Sequence, residues 1–280
     1  MEGSQADVHS LPASSSSIKT FPYLQVLSAR SIRAPADSTK ARVKVSAIYS
    51  KAGTPSKLYT LEGDVHEVGH DREQRERGSC RVESWCEELM KRAYKHVKPR
   101  RRLRAVVNPH GGKGNAQQLF EQICQPIFAA AECSVTVVST GPANSLTNAF
   151  NLGRDHDCSA FDVLVPVSGD GIVHELLNGI ASRPDGLAAL RSTPIAPVPA
   201  GSGNAISINL YGPSRANDCA WAALGAIKGE SARPPEEEFW PDLFLHHRLS
   251  HSYGSLLRHA ERQALLLFPV SDLWAHGRHR

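Results

Sequence analysis

The chain has 280 residues, of which 41% are hydrophobic and 21% are charged, and its formal net charge is +4. These values are typical of a globular protein with one or two domains, and so small a basic surplus does not favour a nucleic-acid partner. No apolar run is long enough to span a membrane, and no signal-peptide pattern opens the chain. We therefore expect a cytoplasmic protein, and we keep peripheral contact with intracellular membranes open.

The first 75 residues are predicted to be poorly ordered apart from short strands. Residues 1–40 are rich in serine and proline and have little apolar surface to bury, which is typical of a flexible tail. Residues 41–62 contain two alternating segments, VKVSAIY and KLYTL, which could pair as strands. Residues 63–78 are charged and contain glycine, which predicts a loop or linker.

A regular alternation of strands and helices follows, and it predicts one domain over residues 76–229. A first helix over 84–93 would place Trp85, Leu89 and Ala93 on one face. The predicted strands are RLRAVVNP, SVTVVS, FDVLVPVS and TPIAPVPA, and the predicted later helices cover 115–130, 144–152, 171–182, a segment opening near 203, and 217–228. This order predicts an α/β fold, in which a parallel sheet carries helices on both faces.

Three of the predicted strand-to-helix connections are rich in glycine. They are NPHGGKGNA (108–116), SGDGIVHE (168–175) and PAGSGNA (199–205). Glycine lets the backbone approach a ligand closely, and successive N–H groups before a helix attract phosphate. Because such loops share one edge of a parallel sheet, they predict a phosphate-binding cleft. The Walker motif and the dinucleotide fingerprint are both absent, so the nucleotide would be held differently.

Asp170 is the one carboxylate inside a glycine loop. It could act as a general base, or as an outer ligand for Mg²⁺, or it could cap the helix that follows, and the residues alone leave these readings open. Glu175 could orient a magnesium shell, and Ser202 could either bind phosphate or cap a helix. The six cysteines fit no zinc spacing, and no metal ligand is assigned directly from the sequence.

In this order and spacing, the motifs resemble those of the diacylglycerol kinase catalytic family over roughly residues 104–212. The serine before GDG and the His-Glu after it are most similar to the sphingosine kinases within that family. The resemblance implies ATP, Mg²⁺ and phosphoryl transfer to the primary hydroxyl of a sphingoid base, with Asp170 as the catalytic base. It also implies nucleotide contacts from Asn108, Pro109, His110, Gly111, Gly112, Lys113, Gly114, Thr140, Asn144, Ser168, Gly169, Gly171, Glu175, Gly201, Ser202 and Gly203.

Three other functions stay open from the sequence. The acceptor could be diacylglycerol or ceramide, which a panel of lipids would separate. The chain could be an inactive nucleotide-binding fragment, which would bind ATP and transfer no phosphate. A soluble nucleotide kinase, such as an NAD kinase, fits less well because it does not predict the His-Glu after GDG.

The resemblance also implies a second, β-rich lobe for the lipid, which we expect to be missing from this chain. Residues 230–280 lose the regular pattern and are predicted to be disordered or out of frame. When the codons of residues 251–280 are read one base later, synonymous choices give a segment that begins TPTDLCSVTQ and resembles the next part of the family. We therefore expect a change of reading frame between 229 and 251. A chain that ends without the lipid lobe is expected to bind nucleotide and to lack lipid kinase activity.

Overall fold

The computed structural model describes residues 5–7, 20–32, 40–51, 53–66, 72–95, 97–142 and 145–229. The predictions for residues 230–280, including the change of reading frame, lie outside the described residues. The described chain forms two units. The antiparallel unit comprises the described residues up to 101 together with 121–134 and 218–229, and the parallel unit comprises 102–120 and 135–217.

The helices and strands alternate along most of the chain. In chain order the strands are β1 (Gln5–Asp7), β2 (Thr20–Pro22), β3 (Val26–Ile32), β4 (Lys40–Tyr49), β5 (Lys57–His66), β6 (Arg102–Val107), β7 (Ser134–Ser139), β8 (Val163–Ser168) and β9 (Val198–Pro199). The helices are α1 (Arg72–Ala93), α2 (Ala116–Leu119), α3 (Gln125–Ala130), α4 (Ala149–Arg154), α5 (Asp170–Ala181), α6 (Gly186–Ser192), α7 (Ala205–Tyr211) and α8 (Cys219–Lys228). None of the helices in the described ranges is long and apolar enough to cross a membrane.

In the antiparallel unit, β3, β4 and β5 form a sheet in that order, with β4 between its neighbours. The two segments predicted to pair as strands lie in β4 and β5, where Val45 is opposite Leu61. The prediction of a flexible tail is wrong for residues 20–32, because Phe21, Val26 and Leu27 are buried there. The serine-rich stretch over residues 10–17 dominated the composition of residues 1–40, so composition alone understated what residues 20–32 could bury.

Helix α1 begins earlier than predicted, at Arg72, so the predicted linker over 63–78 is wrong at both of its ends. Its buried face also differs from the prediction. Leu89 and Ala93 are buried together with Cys86, whereas 47% of Trp85 is exposed. The predicted buried face is therefore confirmed at Leu89 and Ala93 and is wrong at Trp85, where the neighbouring Cys86 is buried instead.

Helices α3 and α8 belong to the antiparallel unit, although the sequence placed them in the catalytic domain. Helix α8 is buried almost all round, as expected for a helix packed on several sides. Just before α3, a π-helical turn over Phe120–Cys124 widens the backbone. Pro126 lies in the first turn of α3, and the wider turn accommodates this residue, which cannot donate a backbone hydrogen bond.

The parallel unit has the predicted α/β architecture. Its four strands lie in the order β7-β6-β8-β9, and β8 pairs in parallel with both β6 and β9. All six residues of β8 are buried, so both faces of this central strand are covered. Helix α5 packs on α4 so closely that a Cβ on Gly179 would lie 2.8 Å from the backbone nitrogen of Arg154. The four predicted strands and a helix after each of them are therefore confirmed, although β9 is only two residues long, α4 begins at Ala149, later than predicted, and α6 was not predicted.

Candidate functional site

The loop after β6, residues 108–115, is anchored to both neighbouring strands. The backbone N–H of Asn108 donates to the carbonyl of Val167 at 3.2 Å, which continues the pairing of β6 with β8. The side-chain oxygen of Asn108 accepts from the N–H of His110 at 3.2 Å and from the hydroxyl of Thr140 at 3.3 Å. Asn108 therefore joins the first glycine loop to the end of β7.

The GGKG segment then turns back on itself. The N–H of Gly111 lies 3.4 Å from the carbonyl of Asn108, and the N–H of Gly114 donates to the carbonyl of Gly111 at 2.9 Å. Gly114 has a φ of +70°, a conformation that favours glycine. Pro109 lies half-buried at the start of this turn, and Lys113 is exposed at its tip.

The three glycine loops meet at the carboxyl ends of β6, β8 and β9. A Cβ on Gly112 would lie 2.8 Å from the carbonyl oxygen of Ala200, and one on Gly169 would lie 2.9 Å from that of Gly203. A Cβ on Gly201 would lie 2.6 Å from the backbone nitrogen of Gly169. Real Cβ atoms do not approach backbone this closely, so glycine is required by the mutual approach of the loops as well as by any ligand.

Asp170 links the second loop to the third. Its N–H donates to the carbonyl of Gly203 at 3.2 Å. Its carboxylate oxygens accept from the N–H of Ala205 at 2.8 Å and from the N–H of Ile206 at 3.1 Å. Asp170 is thus the first residue of α5, and its carboxylate caps α7. The alternative that Asp170 caps the helix that follows it in the chain, which is α5, is therefore wrong.

Several backbone N–H groups at this edge have no hydrogen-bond partner among the described residues. They belong to Gly112 and Lys113 in the first loop and to Ser202 and Gly203 in the third. Because Gly112 and Gly201 are in contact, the two groups of donors lie on adjoining loops. Such clustered amide donors are suited to phosphate oxygens, which accept several hydrogen bonds at once.

The remaining predicted residues differ in burial and in whether they contact the loops. Ser168 is buried beneath the loops, and its carbonyl accepts from the N–H of Ala200 at 3.1 Å. Gly171 faces open space, since a Cβ there would meet nothing within 4 Å. Glu175 is exposed on α5, and none of the hydrogen bonds of the described residues joins it to the loops. Asn144 lies outside the described residues.

A bound metal ion would need ligands beyond these side chains. Within the described ranges, no group of three or more His, Cys, Asp and Glu side chains is arranged to hold an ion. Mg²⁺ at phosphate sites commonly keeps several waters and takes one or two carboxylates, with phosphate oxygens as further ligands. Asp170 fits that limited role, because it is the carboxylate that stands within the glycine loops.

Sequence analysis missed the part that Asn204 and Asn217 take in this site. The side chain of Asn204 bonds to both backbone groups of Gly201 and to the side chain of Asn217. No local signal pointed to Asn217, because it follows α7 and meets Asn204 only in the folded chain.

The comparisons with known proteins agree with the resemblance that the motifs showed. Residues 102–234 match the family model of the diacylglycerol kinase catalytic domain. The matched segment contains all three glycine motifs.

The curated relatives are more specific. The chain is 35% identical over 147 residues to sphingoid long chain base kinase 5 of Saccharomyces cerevisiae, a match that covers 52% of this chain and 20% of that protein. It is 37% identical over 147 residues to sphingoid long chain base kinase 4 of Schizosaccharomyces pombe, covering 52% and 31%. It is 43% identical over 109 residues to human sphingosine kinase 1, covering 39% and 27%. The matched segment thus spans less than a third of the length of these relatives.

Proposed function

We propose that this chain carries the nucleotide-binding and catalytic part of an ATP-dependent kinase that phosphorylates the primary hydroxyl of sphingosine-type long-chain bases. The observation that carries the proposal is the meeting of three glycine loops, of which the second carries Asp170 and the first and third have backbone N–H groups without a partner among the described residues. The named activities of the relatives support the same chemistry and the same acceptor class.

In the proposed reaction, the hydroxyl oxygen of the lipid attacks the γ-phosphorus of ATP. The bond from that phosphorus to the bridging oxygen breaks, and ADP leaves. Asp170 accepts the hydroxyl proton as general base. Each carboxylate oxygen has two lone-pair sites, so the bonds to Ala205 and Ile206 leave positions for the proton.

The glycine loops would hold the phosphates in line with the acceptor, which is where most of the rate enhancement of phosphoryl transfer originates. Gly112, Lys113, Ser202 and Gly203 would donate backbone N–H groups, and the ammonium group of Lys113 would add a positive charge. Bound Mg²⁺ would neutralise charge on the phosphates, and Asp170 would contribute a carboxylate to its outer shell. Glu175 would act at most through the water around the ion.

The direct test is phosphate transfer from labelled ATP with Mg²⁺ to vesicles that contain sphingosine, sphinganine, diacylglycerol or ceramide. For a protein in which this chain is joined to the lipid lobe that the resemblance implies, we expect label on the two sphingoid bases, and we expect Asp170→Asn to lower turnover by about 100-fold or more, since general-base catalysis contributes that much. The 280-residue chain by itself is expected to bind ATP and to transfer no phosphate. Asp185→Asn is the matched control, because Asp185 is an exposed carboxylate that pairs with Arg183 away from the loops. It should keep the turnover of the wild type.

The alternatives give different results in the same assay. Label on diacylglycerol or ceramide alone would show that the acceptor is assigned wrongly. ATP binding without transfer to any lipid would support the nucleotide-binding fragment. Absence of ATP binding would overturn the proposal. ATP affinity should be measured for Asp170→Asn as well, because its amide has one acceptor oxygen and so weakens the cap on α7.

A further inference from the structure

Asn204 occupies the N-cap position of α7 without capping it. An asparagine at this position usually accepts a hydrogen bond from an N–H in the first turn of the helix. The side chain of Asn204 makes no such bond. The carboxylate of Asp170 bonds to the N–H groups of Ala205 and Ile206 instead, at 2.8 and 3.1 Å.

Because Asp170 caps the helix, the side chain of Asn204 is turned back into the third loop. Its oxygen accepts from the N–H of Gly201 at 3.2 Å, and its nitrogen lies 3.2 Å from the carbonyl of the same residue. The same nitrogen donates to the side-chain oxygen of Asn217 at 3.1 Å. Asn204 therefore closes the loop on both backbone groups of Gly201 and joins it to the segment after α7.

The loop closed by Asn204 also supports Asp170. The carbonyl of Gly203 accepts from the N–H of Asp170. The N–H groups of Ser202 and Gly203, which have no partner in the part of the chain that the structure describes, lie between Gly201 and Asn204. We propose that Asn204 is a positioning residue, which holds the Gly201–Gly203 amides and Asp170 in the arrangement that receives the phosphates of ATP. This inference rests on the proposed function, because the third loop is taken to bind the nucleotide.

The variant Asn204→Ser tests whether Asn204 positions the third loop, as distinct from capping α7. Serine is as good an N-cap as asparagine, so α7 should keep its first turn, and the thermal midpoint should change little. The shorter side chain cannot reach Gly201 and Asn217 together. Loss of these bonds should weaken ATP binding by about tenfold, the effect of roughly 1.4 kcal/mol.

The matched control is Asn148→Ser in the same unit. Asn148 caps α4 in the ordinary way, since its side chain accepts from the N–H of Asn151 at 2.8 Å. This variant should bind ATP as the wild type does. Asn217→Ala removes one of the three bonds made by Asn204, and it should have an intermediate effect on affinity.

Hydrogen exchange provides a readout that does not depend on ATP. In Asn204→Ser, the amides of Gly201 and Asp170 should exchange about tenfold faster, whereas the amides within α4 and β8 should keep their rates. Asn204→Asp is the second variant, in case serine disturbs folding, because it keeps the acceptor for Gly201 and loses both donor bonds. Unchanged exchange and unchanged ATP affinity in these variants would overturn the inference. If the wild type binds no ATP, the proposed function fails, and the exchange rates still decide whether Asn204 holds the loop.

Discussion

The two units of this protein are assembled in opposite ways from the chain. In the parallel unit, most strands are followed directly by the helix that packs beside the sheet, and the glycine loops are the connections between them. In the antiparallel unit, three separate stretches of chain come together, ending with α8. A local pattern therefore describes the first unit well and the second poorly, because the periodicity of a segment says nothing about a distant partner.

The units also differ in where polar groups lie. The parallel unit leaves several loop N–H groups without a partner among the described residues, at an edge that a ligand can reach. The antiparallel unit buries a lysine completely: Lys228 donates to the carbonyl of Ala93 at 3.0 Å and lies over the ring of Tyr94. The N–H groups of the parallel unit are suited to binding a ligand, whereas the buried lysine makes the stability of the antiparallel unit sensitive to pH.

The largest effect, on ATP affinity, is expected when a methyl group is added at Gly201, where the second and third loops meet. Gly201→Ala would place a Cβ against the backbone of Gly169, which cannot move away without displacing the second loop. We expect ATP affinity to fall by at least about 100-fold, because both loops lose their geometry. The control is Gly63→Ala in β5, where a Cβ meets nothing within 4 Å. Equal ATP binding by both variants, measured by titration calorimetry, would show that the loops are not tightly interlocked.

The next effect tests the long-range assembly of the antiparallel unit. The buried carboxylate of Asp218 caps α8 by accepting from the N–H of Trp221 at 3.0 Å, and it accepts from the N–H of Ser56 at 2.9 Å. Asp218→Ala should lower the free energy of unfolding by about 3 kcal/mol, since it removes a helix cap and a second buried hydrogen bond to a charged group. Asp157→Ala removes an exposed carboxylate that bonds only to nearby residues, and it should cost less than about 1 kcal/mol.

Urea unfolding of these two variants would measure the contrast between the units. If Asp157→Ala destabilises the protein as much as Asp218→Ala does, local and long-range contacts contribute equally to the free energy of unfolding. The proposed difference between the units would then be wrong.

The smallest effect is a gain in stability at Lys228. Burial, with a smaller contribution from the charge of Arg101, lowers the pKa of Lys228 from 10.5 to about 6. Between these two values the unfolded chain holds a proton that the folded chain lacks, so the stability of the wild type should rise as the pH increases from about 6 to 10.5. Lys228→Met should remove this slope and stabilise the protein near pH 6 by about 1–3 kcal/mol.

Thermal unfolding of both proteins across this pH range tests the prediction. The advantage of the methionine variant should shrink as the pH rises towards 10.5, and above that value the wild-type lysine is neutral in both states. An advantage that is constant with pH would mean that Lys228 keeps its proton in the folded chain, through contacts with Tyr94 and Ala93 that outweigh its burial.

Much of the candidate site could be predicted from the sequence because its signals are local. Each glycine motif stands between an apolar strand and a helix, and the alternation alone brings the three loops to one edge. Asp170 was identified for the same reason. Its bond partners could not be predicted, because Ala205 and Ile206 follow a different strand of the sheet. The same holds for Asn204, whose side chain bonds to Gly201 and Asn217 and makes no cap bond to α7, where Asp170 bonds instead.

The sequence by itself predicted the four strands of the parallel unit, the three glycine motifs at the ends of β6, β8 and β9, and the resemblance to the diacylglycerol kinase catalytic family. Tertiary structure alone decided that α8 packs in the antiparallel unit, that residues 20–32 are part of a sheet and that Asp170 caps α7. The physical reason is the range of the interactions. Backbone periodicity and turn chemistry depend on residues a few positions apart, so they can be recognised in the sequence. Burial, and capping by a distant residue, depend on which surfaces meet after folding.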